Sequence, residues 1–189
     1  MPALLTHLII PNTYNLPRAM IFVDGENLAM RFGEMLKEKG GTLNPSISYV
    51  RDVLVWGKNW GNLTQGIPAV MRKYYYTSVG GDVQAITNIE RELKSLGIEA
   101  PRVFHKEKQS TRTKGVDITL TTDMLLHAAR KNYDIAVLVT GDADYIPVIK
   151  AIQGEGARVQ VWALSNGLSP DLVNAADEHR VLDDYLIGD

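Results

Sequence analysis

The sequence predicts a three-layer α/β/α sandwich built on a mostly parallel central sheet. Short, continuous apolar runs have the length and composition of strands buried on both faces, and the clearest of them covers residues 135–140. These runs alternate with stretches in which apolar residues recur at helical spacing, a pattern that implies right-handed βαβ crossovers. The 189 residues contain no internal repeat and no linker to a second domain. We therefore expect one α/β domain.

The elements follow in order after an N-terminal arm. Residues 1–17 form this arm, which ends at Pro17, and the domain is expected to occupy residues 18–189. The first strand is an apolar run closed by Asp24, and the first helix ends at the pair Gly40-Gly41. Strands are predicted over residues 18–24, 69–76, 98–105, 135–140 and 157–164. Helices with one apolar face are predicted over residues 25–39, 82–96, 116–130, 143–153 and 168–176.

Three segments fit this scheme less simply. A second apolar-periodic stretch begins at Ser46 and runs towards Trp56. Residues 56–66 are rich in turn-forming residues and are predicted to form a loop. The tail over residues 179–187 is a candidate for one more short strand.

Composition limits the chemistry that the chain can perform. Cysteine is absent, which excludes disulfides and thiolate zinc sites and fits a reducing cytoplasm, so we expect a cytoplasmic protein. No apolar run is long enough to span a bilayer, so we expect no membrane partner. The net charge is −2, which taken alone argues mildly against a nucleic-acid-binding protein. A cluster of acids surrounded by bases would cancel in that sum, so the distribution of charge matters more than its total.

Acidic residues are predicted at the sheet edge where α/β proteins bind ligands. Asp24 ends the first strand, Asp142 and Asp144 follow the fourth, and Asp117 opens a helix. The carboxyl ends of parallel strands meet along one edge, so the fold would bring these side chains together. For any one of them, capping of a helix N-terminus is the commoner role. Several converging carboxylates instead repel one another, and a bound cation relieves that repulsion.

Other polar residues are candidates for supporting such a site. An oxygen-only cluster selects hard ions, so Mg²⁺ or Mn²⁺ is the expected cofactor. Asn27 lies about one helical turn after Asp24 and can face the same site, whereas Glu26 is expected to point elsewhere. Thr140 and Ser165 stand at strand ends and could donate a hydrogen bond to a phosphate or to a carboxylate.

A basic stretch precedes Asp117 and is a candidate for binding phosphate. Its cations are Lys106, Lys108, Arg112 and Lys114, and a solvated loop is an equally good explanation of this charge run. Asp123 is off the helical face of Asp117 and is expected either to support a residue of the site or to be structural. The aromatic residues could stack on unpaired bases or pack in the protein; these are Tyr74, Tyr75 and Tyr76, beside Arg72 and Lys73, together with Trp56 and Trp60.

Three motifs in order resemble those of a known family. They are Phe22-Val-Asp24-Gly-Glu-Asn27, Lys114-Gly-Val-Asp117 and Thr140-Gly-Asp142-Ala-Asp144-Tyr145, each at a predicted strand end or helix start. Together they resemble the NYN domain, which belongs to the wider group of PIN-like nucleases. The later segments Gly156-Ala-Arg-Val-Gln-Val and Leu172-Val-Asn-Ala-Ala-Asp177 also match, so the likeness spans about residues 18–185.

The resemblance implies a PIN-like fold and a metal-dependent nuclease with RNA as the commonest substrate and a 5′-phosphate on the product. Carried over position by position, it implies metal binding by Asp24, Asp117, Asp142 and Asp144, with Asn27 completing the catalytic set. Tyr145 stands where the family often has Phe. The arm over residues 1–17 and the insertion around Trp56 to Trp60 are not explained by the motifs. They are candidates for controlling substrate access or for forming a homodimer.

Two other functions fit parts of the same pattern. Phosphatases of the haloacid dehalogenase type also carry Asp-x-Asp after a strand, but normally after the first strand of the domain rather than the fourth. The second alternative is a catalytically weak PIN-like module that acts as a regulatory or nucleic-acid-binding protein. Intact acids at every motif position argue against a loss of activity.

Overall fold

The structure, a computed structural model, describes residues 16–39, 44–57, 67, 69–106 and 114–186. Most of the predicted arm, Trp60, the Gly40-Gly41 pair and the tail after residue 186 lie outside the described residues. Within these ranges, none of the helices combines the length and the apolar character that crossing a membrane requires.

Strands and helices alternate along most of the described chain, as the sequence predicts. The strands are β1 (Arg18–Asp24), β2 (Ile47–Val50), β3 (Leu54–Gly57), β4 (Ala69–Val79), β5 (Ala100–His105), β6 (Ile135–Val139), β7 (Arg158–Ala163) and β8 (Glu178–Val181). The helices are α1 (Gly25–Lys39), α2 (Val83–Ser95), α3 (Lys114–Ala129), α4 (Ile146–Gly154), α5 (Pro170–Ala175) and α6 (Asp183–Leu186), and a 3₁₀ turn over Ala143–Tyr145 precedes α4. The C-terminal tail thus provides both the extra strand β8 and a short helix.

Six of the strands form one parallel sheet in the order β5-β4-β1-β6-β7-β8. The chain moves outwards from β1 to β4 and β5, then returns to the other side of β1 with β6 and continues to β7 and β8. The connections after β1 therefore run towards one edge of the sheet, and those after β6 run towards the other edge. The resulting crevice lies beyond the carboxyl ends of β1 and β6, where α/β sheets bind ligands.

Two apolar cores cover the two faces of this sheet and make it a three-layer sandwich. On β1, Ile21 and Val23 belong to the core that also contains Phe32 of α1 and Leu93 of α2. Phe22 faces the opposite core, together with residues of α3, α4 and α5. Because successive side chains on a strand point to opposite faces, a strand covered on both faces is a continuous apolar run. That is the physical origin of the pattern in the sequence.

The apolar-periodic stretch after Ser46 forms an antiparallel hairpin, in which β2 pairs with β3 outside the main sheet. Asp52 lies at its turn with a φ of 57°, a left-handed conformation that Asp adopts more easily than most residues. The hairpin packs on the same core as α1. Trp56 on β3 is 2% exposed and its ring meets Tyr75 edge to face, so this tryptophan has a packing role.

The three consecutive tyrosines of β4 are all buried, which corrects the suggestion that they stack on bases. Tyr74 and Tyr76 face one core and Tyr75 faces the other, because both faces of β4 are covered. The Tyr76 hydroxyl donates to Asp123 at 2.9 Å, so of the two roles open for Asp123 the structure shows a structural one. Neighbouring Lys73 pairs with Glu99 at 2.8 Å on the protein surface.

Candidate functional site

Asp24 is the centre of the crevice at the end of β1. Its side chain is 4% exposed. One carboxylate oxygen accepts the backbone N–H of Asn27 at 3.1 Å, and the other accepts the hydroxyl of Thr140 at 3.1 Å. The first bond is a local consequence of placing a helix directly after the strand. The second joins β1 to the end of β6, 116 residues later, and therefore depends on the sheet order.

Burial dominates the electrostatics of Asp24. The pKa of this carboxyl is raised to about 7: burial is the main cause, the negative charge of Asp117 adds to it, and the hydrogen bonds to the carboxylate oppose it. The hydrogen bonds come from the Asn27 N–H and from the hydroxyls of Thr140 and Tyr145. A carboxylate that is both desolvated and repelled by a second acid is destabilised when charged. Such a group gains from a nearby cation.

Asn27 and Gly141 connect the first helix to the loop after β6. The Asn27 side chain is 7% exposed, and its Oδ1 accepts the backbone N–H of Gly141 at 3.1 Å. A Cβ on residue 141 would lie 2.5 Å from the carbonyl oxygen of Gly167, so only glycine fits at this crossing. The Gly-Asp motif therefore needs its glycine for close backbone packing, while Asn27 holds the loop that carries Asp142.

Tyr145 and Asp117 form the opposite side of the crevice. The Tyr145 hydroxyl donates to Asp117 Oδ1 at 3.0 Å, and the ring is buried. Burial raises the pKa of Tyr145, and the charges of Asp24 and Asp117 add to that shift, so this hydroxyl stays protonated and acts as a donor. The tyrosine thus partly stabilises two carboxylates that repel one another.

Two adjacent clefts share Asp117. The first, of about 310 Å³, is lined by Asp24, Asn27, Lys106 and Asp117, among others, and we call it the acidic cleft. The second, of about 240 Å³, is lined by Asp117 with Asp142, Asp144 and Tyr145. The predicted acids therefore border two clefts that have Asp117 in common. Within the described parts of the chain, however, no three acidic or histidine side chains come together tightly enough to hold a metal ion.

Asp142 and Asp144 have different local positions. Asp142 caps the 3₁₀ turn, accepting the Asp144 N–H at 3.0 Å, so the capping role considered for such residues is present here. Asp142 is half-buried and Asp144 is exposed. A metal site built from three or more of the acids would therefore need side-chain positions that differ from those of the described residues.

Thr140 and Ser165 both donate to carboxylates rather than facing a cleft. Thr140 is 1% exposed, and its oxygen also accepts the backbone N–H of Asp142 at 3.3 Å. Ser165 donates its hydroxyl to Asp183 at 2.5 Å, beyond the end of β7. Of the two options open for these hydroxyls, the structure shows the bond to a carboxylate. Thr140 therefore holds Asp24 in place, and Ser165 fixes the start of α6.

Only part of the predicted basic stretch is described. Lys106 lines the acidic cleft with Asp24 and Asp117, where its ammonium can neutralise a bound phosphate. Lys114 begins α3. Lys108 and Arg112 lie outside the described residues.

Glu26, Met30 and Asp52 line the acidic cleft and were not expected there. The expectation that Glu26 points elsewhere is wrong, because side chains of a first helical turn surround the helix end that faces the crevice. Ser78 of β4 donates its hydroxyl to this carboxylate and helps to hold it. The position of Asp52 depends on the hairpin, which no spacing in the sequence connects to the acids.

The family of the chain follows from a match that covers most of its length. The NYN domain model matches residues 18–183. The chain belongs to the NYN domain family. NYN domains have a PIN-like fold and are generally nucleases that use divalent metals and act on nucleic acid. None of the proteins with curated annotation matches this NYN domain.

A solved structure shares the fold. It is a protein of unknown function from Vibrio parahaemolyticus RIMD 2210633, which superposes on this NYN domain with a TM-score of 0.67. The two are 20% identical, and the match covers 94% of this chain and 99% of that one. The likeness supports the α/β/α sandwich and, at this identity, concerns the fold alone.

Proposed function

We propose that this NYN domain is a metal-dependent nuclease that hydrolyses phosphodiester bonds, with RNA as its substrate. One observation carries the proposal. Asp24 and Asp117 come from distant parts of the sequence and line one cleft with Lys106, at the switch point of a parallel sheet. Burial and the charge of Asp117 destabilise the charged form of Asp24. Such a group lowers the stability of the fold, and carboxylates of this kind are typical of functional sites.

The donor set of the two clefts fits a hard divalent cation. All the candidate ligands are carboxylates, namely Asp24, Asp117, Asp142 and Asp144, and oxygen donors favour Mg²⁺ or Mn²⁺. Asp24 and Asp117 repel one another when both are charged, and a bound divalent cation would neutralise that negative charge. When bound, the cation supplies Lewis acidity and offsets the charge that develops on the phosphodiester.

The residues of the chain orient the reacting groups. Thr140 and the Asn27 N–H hold the two oxygens of Asp24 in fixed directions. The Asn27 side-chain oxygen is engaged by Gly141, so its amide NH₂ is the group that can donate to a phosphate oxygen in the cleft. Lys106 balances the charge of the bound phosphate. In this proposal, these groups would hold the scissile phosphate beside the carboxylates.

A catalytically weak module that binds nucleic acid is the second candidate function. It is favoured by the separation of the acids into two clefts and by the bond from Tyr145 to Asp117, which engages a carboxylate that a metal site would need. This candidate predicts binding without metal-dependent cleavage. Cleavage assays therefore separate it from the nuclease.

The test is cleavage of single-stranded RNA, structured RNA and DNA in Mg²⁺ or Mn²⁺, with EDTA as the blank. If the protein is a nuclease, we expect metal-dependent products that end in a 5′-phosphate. We also expect Asp24→Asn and Asp142→Asn each to lose cleavage. The matched control is Asp171→Asn, which removes an exposed carboxylate from α5 and should retain full activity. Full activity in both Asp24→Asn and Asp142→Asn would refute the assignment. A phosphorylated enzyme intermediate would instead support the phosphatase alternative.

A further inference from the structure

A groove between α1 and the β2–β3 hairpin continues from the acidic cleft. It measures about 300 Å³, and we call it the hairpin groove; its lining includes Gly33, Lys37, Tyr49 and Arg51. Met30 and Asp52 line both the hairpin groove and the acidic cleft. The hairpin groove and the acidic cleft therefore adjoin at Met30 and Asp52.

Tyr49 supplies an aromatic ring in this groove. The half-buried ring meets Phe32 edge to face, with the ring centroids 5.0 Å apart. Its hydroxyl would lie 2.6 Å from a Cβ on residue 33, so the tyrosine rests against α1 only because that residue is glycine. Glycine weakens a helix interior, and the close approach of Tyr49 accounts for its presence. The ring is thus held firmly and is not fully covered.

Two cations accompany the ring, and the groove acids are paired. Arg51 has a side chain that is 73% exposed, and Lys37 is also exposed. Glu34 pairs with Arg31 at 3.0 Å, and Asp52 lies 3.5 Å from Arg51. Exposed ion pairs of this kind are weak, so a phosphate can take the place of Asp52 beside Arg51.

We propose that the hairpin groove binds the unpaired strand of a nucleic acid next to its scissile phosphate, with a base stacked on Tyr49 and the backbone beside Arg51 and Lys37. An aromatic ring flanked by cations along a groove is how proteins bind single strands without reading sequence. In a duplex the bases are stacked and paired, so they cannot reach this ring. The inference rests on the proposed nuclease function for its substrate, but the contact itself is a binding event.

The test measures binding of fluorescein-labelled oligonucleotides by anisotropy, with EDTA present so that no strand is cut. The probes are single-stranded RNA, single-stranded DNA and an RNA duplex. Tyr49→Ala should weaken single-strand binding by about 5- to 150-fold, as expected for the loss of one stacked base, whereas Tyr49→Phe should bind as tightly as the wild type. Binding to the duplex should be the same in all three proteins.

A second variant tests the cationic side of the hairpin groove. Arg51→Ala should weaken single-strand binding and reduce the slope of log affinity against log salt by about 0.7, the share of one phosphate contact. The matched control is Arg158→Ala, which removes an exposed cation from β7 and should leave binding unchanged. Stronger binding to RNA than to DNA would assign the substrate as RNA, and equal binding would assign it as any single strand.

The outcomes distinguish this inference from the nuclease proposal. If wild-type protein cleaves nothing in Mg²⁺ or Mn²⁺ but Tyr49→Ala loses single-strand binding, the nuclease proposal fails and the groove stands. The proposal for the hairpin groove would be refuted if folded Tyr49→Ala bound single strands as tightly as the wild type. It would also be refuted if Tyr49→Ala lost as much affinity for the duplex as for the single strand. If the melting curve shows that Tyr49→Ala is unfolded, Arg51→Ala at the exposed turn replaces it as the test. Weaker single-strand binding by Arg51→Ala would then support the proposal, and unchanged binding would refute it.

Discussion

Replacing Asp24 by Asn should stabilise the protein at alkaline pH while it abolishes cleavage. Burial raises the pKa of Asp24 from 3.8 to about 7. Between these values the native state binds a proton that the unfolded chain has released, so the free energy of unfolding falls as pH rises from about 4 to about 7. A difference of about three units, at about 1.4 kcal/mol each, makes the loss about 4 kcal/mol. Asn carries no charge at any of these pH values, so the Asp24→Asn variant does not lose this stability.

Urea unfolding in EDTA at pH 4 and pH 8 measures this effect. The stability difference between Asp24→Asn and wild type should shift in favour of the variant by up to about 4 kcal/mol between the two pH values. Asp171→Asn, with an exposed carboxyl, is the matched control and should follow the wild type. Added Mg²⁺ or Mn²⁺ should recover part of this loss in the wild type at pH 8, about 2.7 kcal/mol at a hundredfold excess over the dissociation constant, but should do little for Asp24→Asn.

An identical pH dependence in Asp24→Asn and wild type would refute this reasoning, because the alkaline loss would then come from other groups. Stabilisation of Asp24→Asn by the cation as large as that of wild type would show that Asp24 is not a ligand. The two measurements are independent of any cleavage assay. They therefore test the electrostatics of the crevice even if the substrate is never found.

Three further predictions concern the neighbours of Asp24. Tyr145→Phe removes the hydroxyl that donates to Asp117, so the acids repel one another more strongly when no cation is bound. The loss of one hydrogen bond should make Mn²⁺ bind about fivefold tighter, as measured by calorimetry, and weaker binding would contradict this. Thr140→Val should cost about 1–3 kcal/mol in urea unfolding, since it removes the hydroxyl that donates to the buried Asp24 carboxylate, and an unchanged midpoint would contradict it. Asp123→Ala should cost a similar amount by removing the partner of Tyr76, yet keep metal-dependent cleavage; loss of cleavage in the folded variant would give Asp123 a role in the site.

The fold class was predictable because the sheet is covered on both faces. β1 and β6 are continuous apolar runs, and each is followed by a polar segment that opens a helix or turn. The hairpin was not predicted as strands, because Ile47, Val50 and Leu54 are spaced so that a helix would also bury them. Their strand conformation depends on packing against α1, which is a tertiary effect.

The candidate site was predictable only in part. The three motifs placed Asp24, Asp117 and Asp142 at strand ends or helix starts, and the structure lines adjoining clefts with them. Glu26 was missed because helical spacing does not describe a first turn that faces a crevice. Asp52 was missed because its position is set by the hairpin.

The sequence by itself determined the alternation of elements, the acids at their ends and the family of the chain, since each depends on neighbours in the chain or on a motif. Only the tertiary structure decided which side chains meet. The order of the sheet joins Thr140 to Asp24 across 116 residues, and covering both faces of β4 buries the tyrosines that were candidates for stacking on bases. Contacts between distant segments depend on topology and packing, which local spacing does not record.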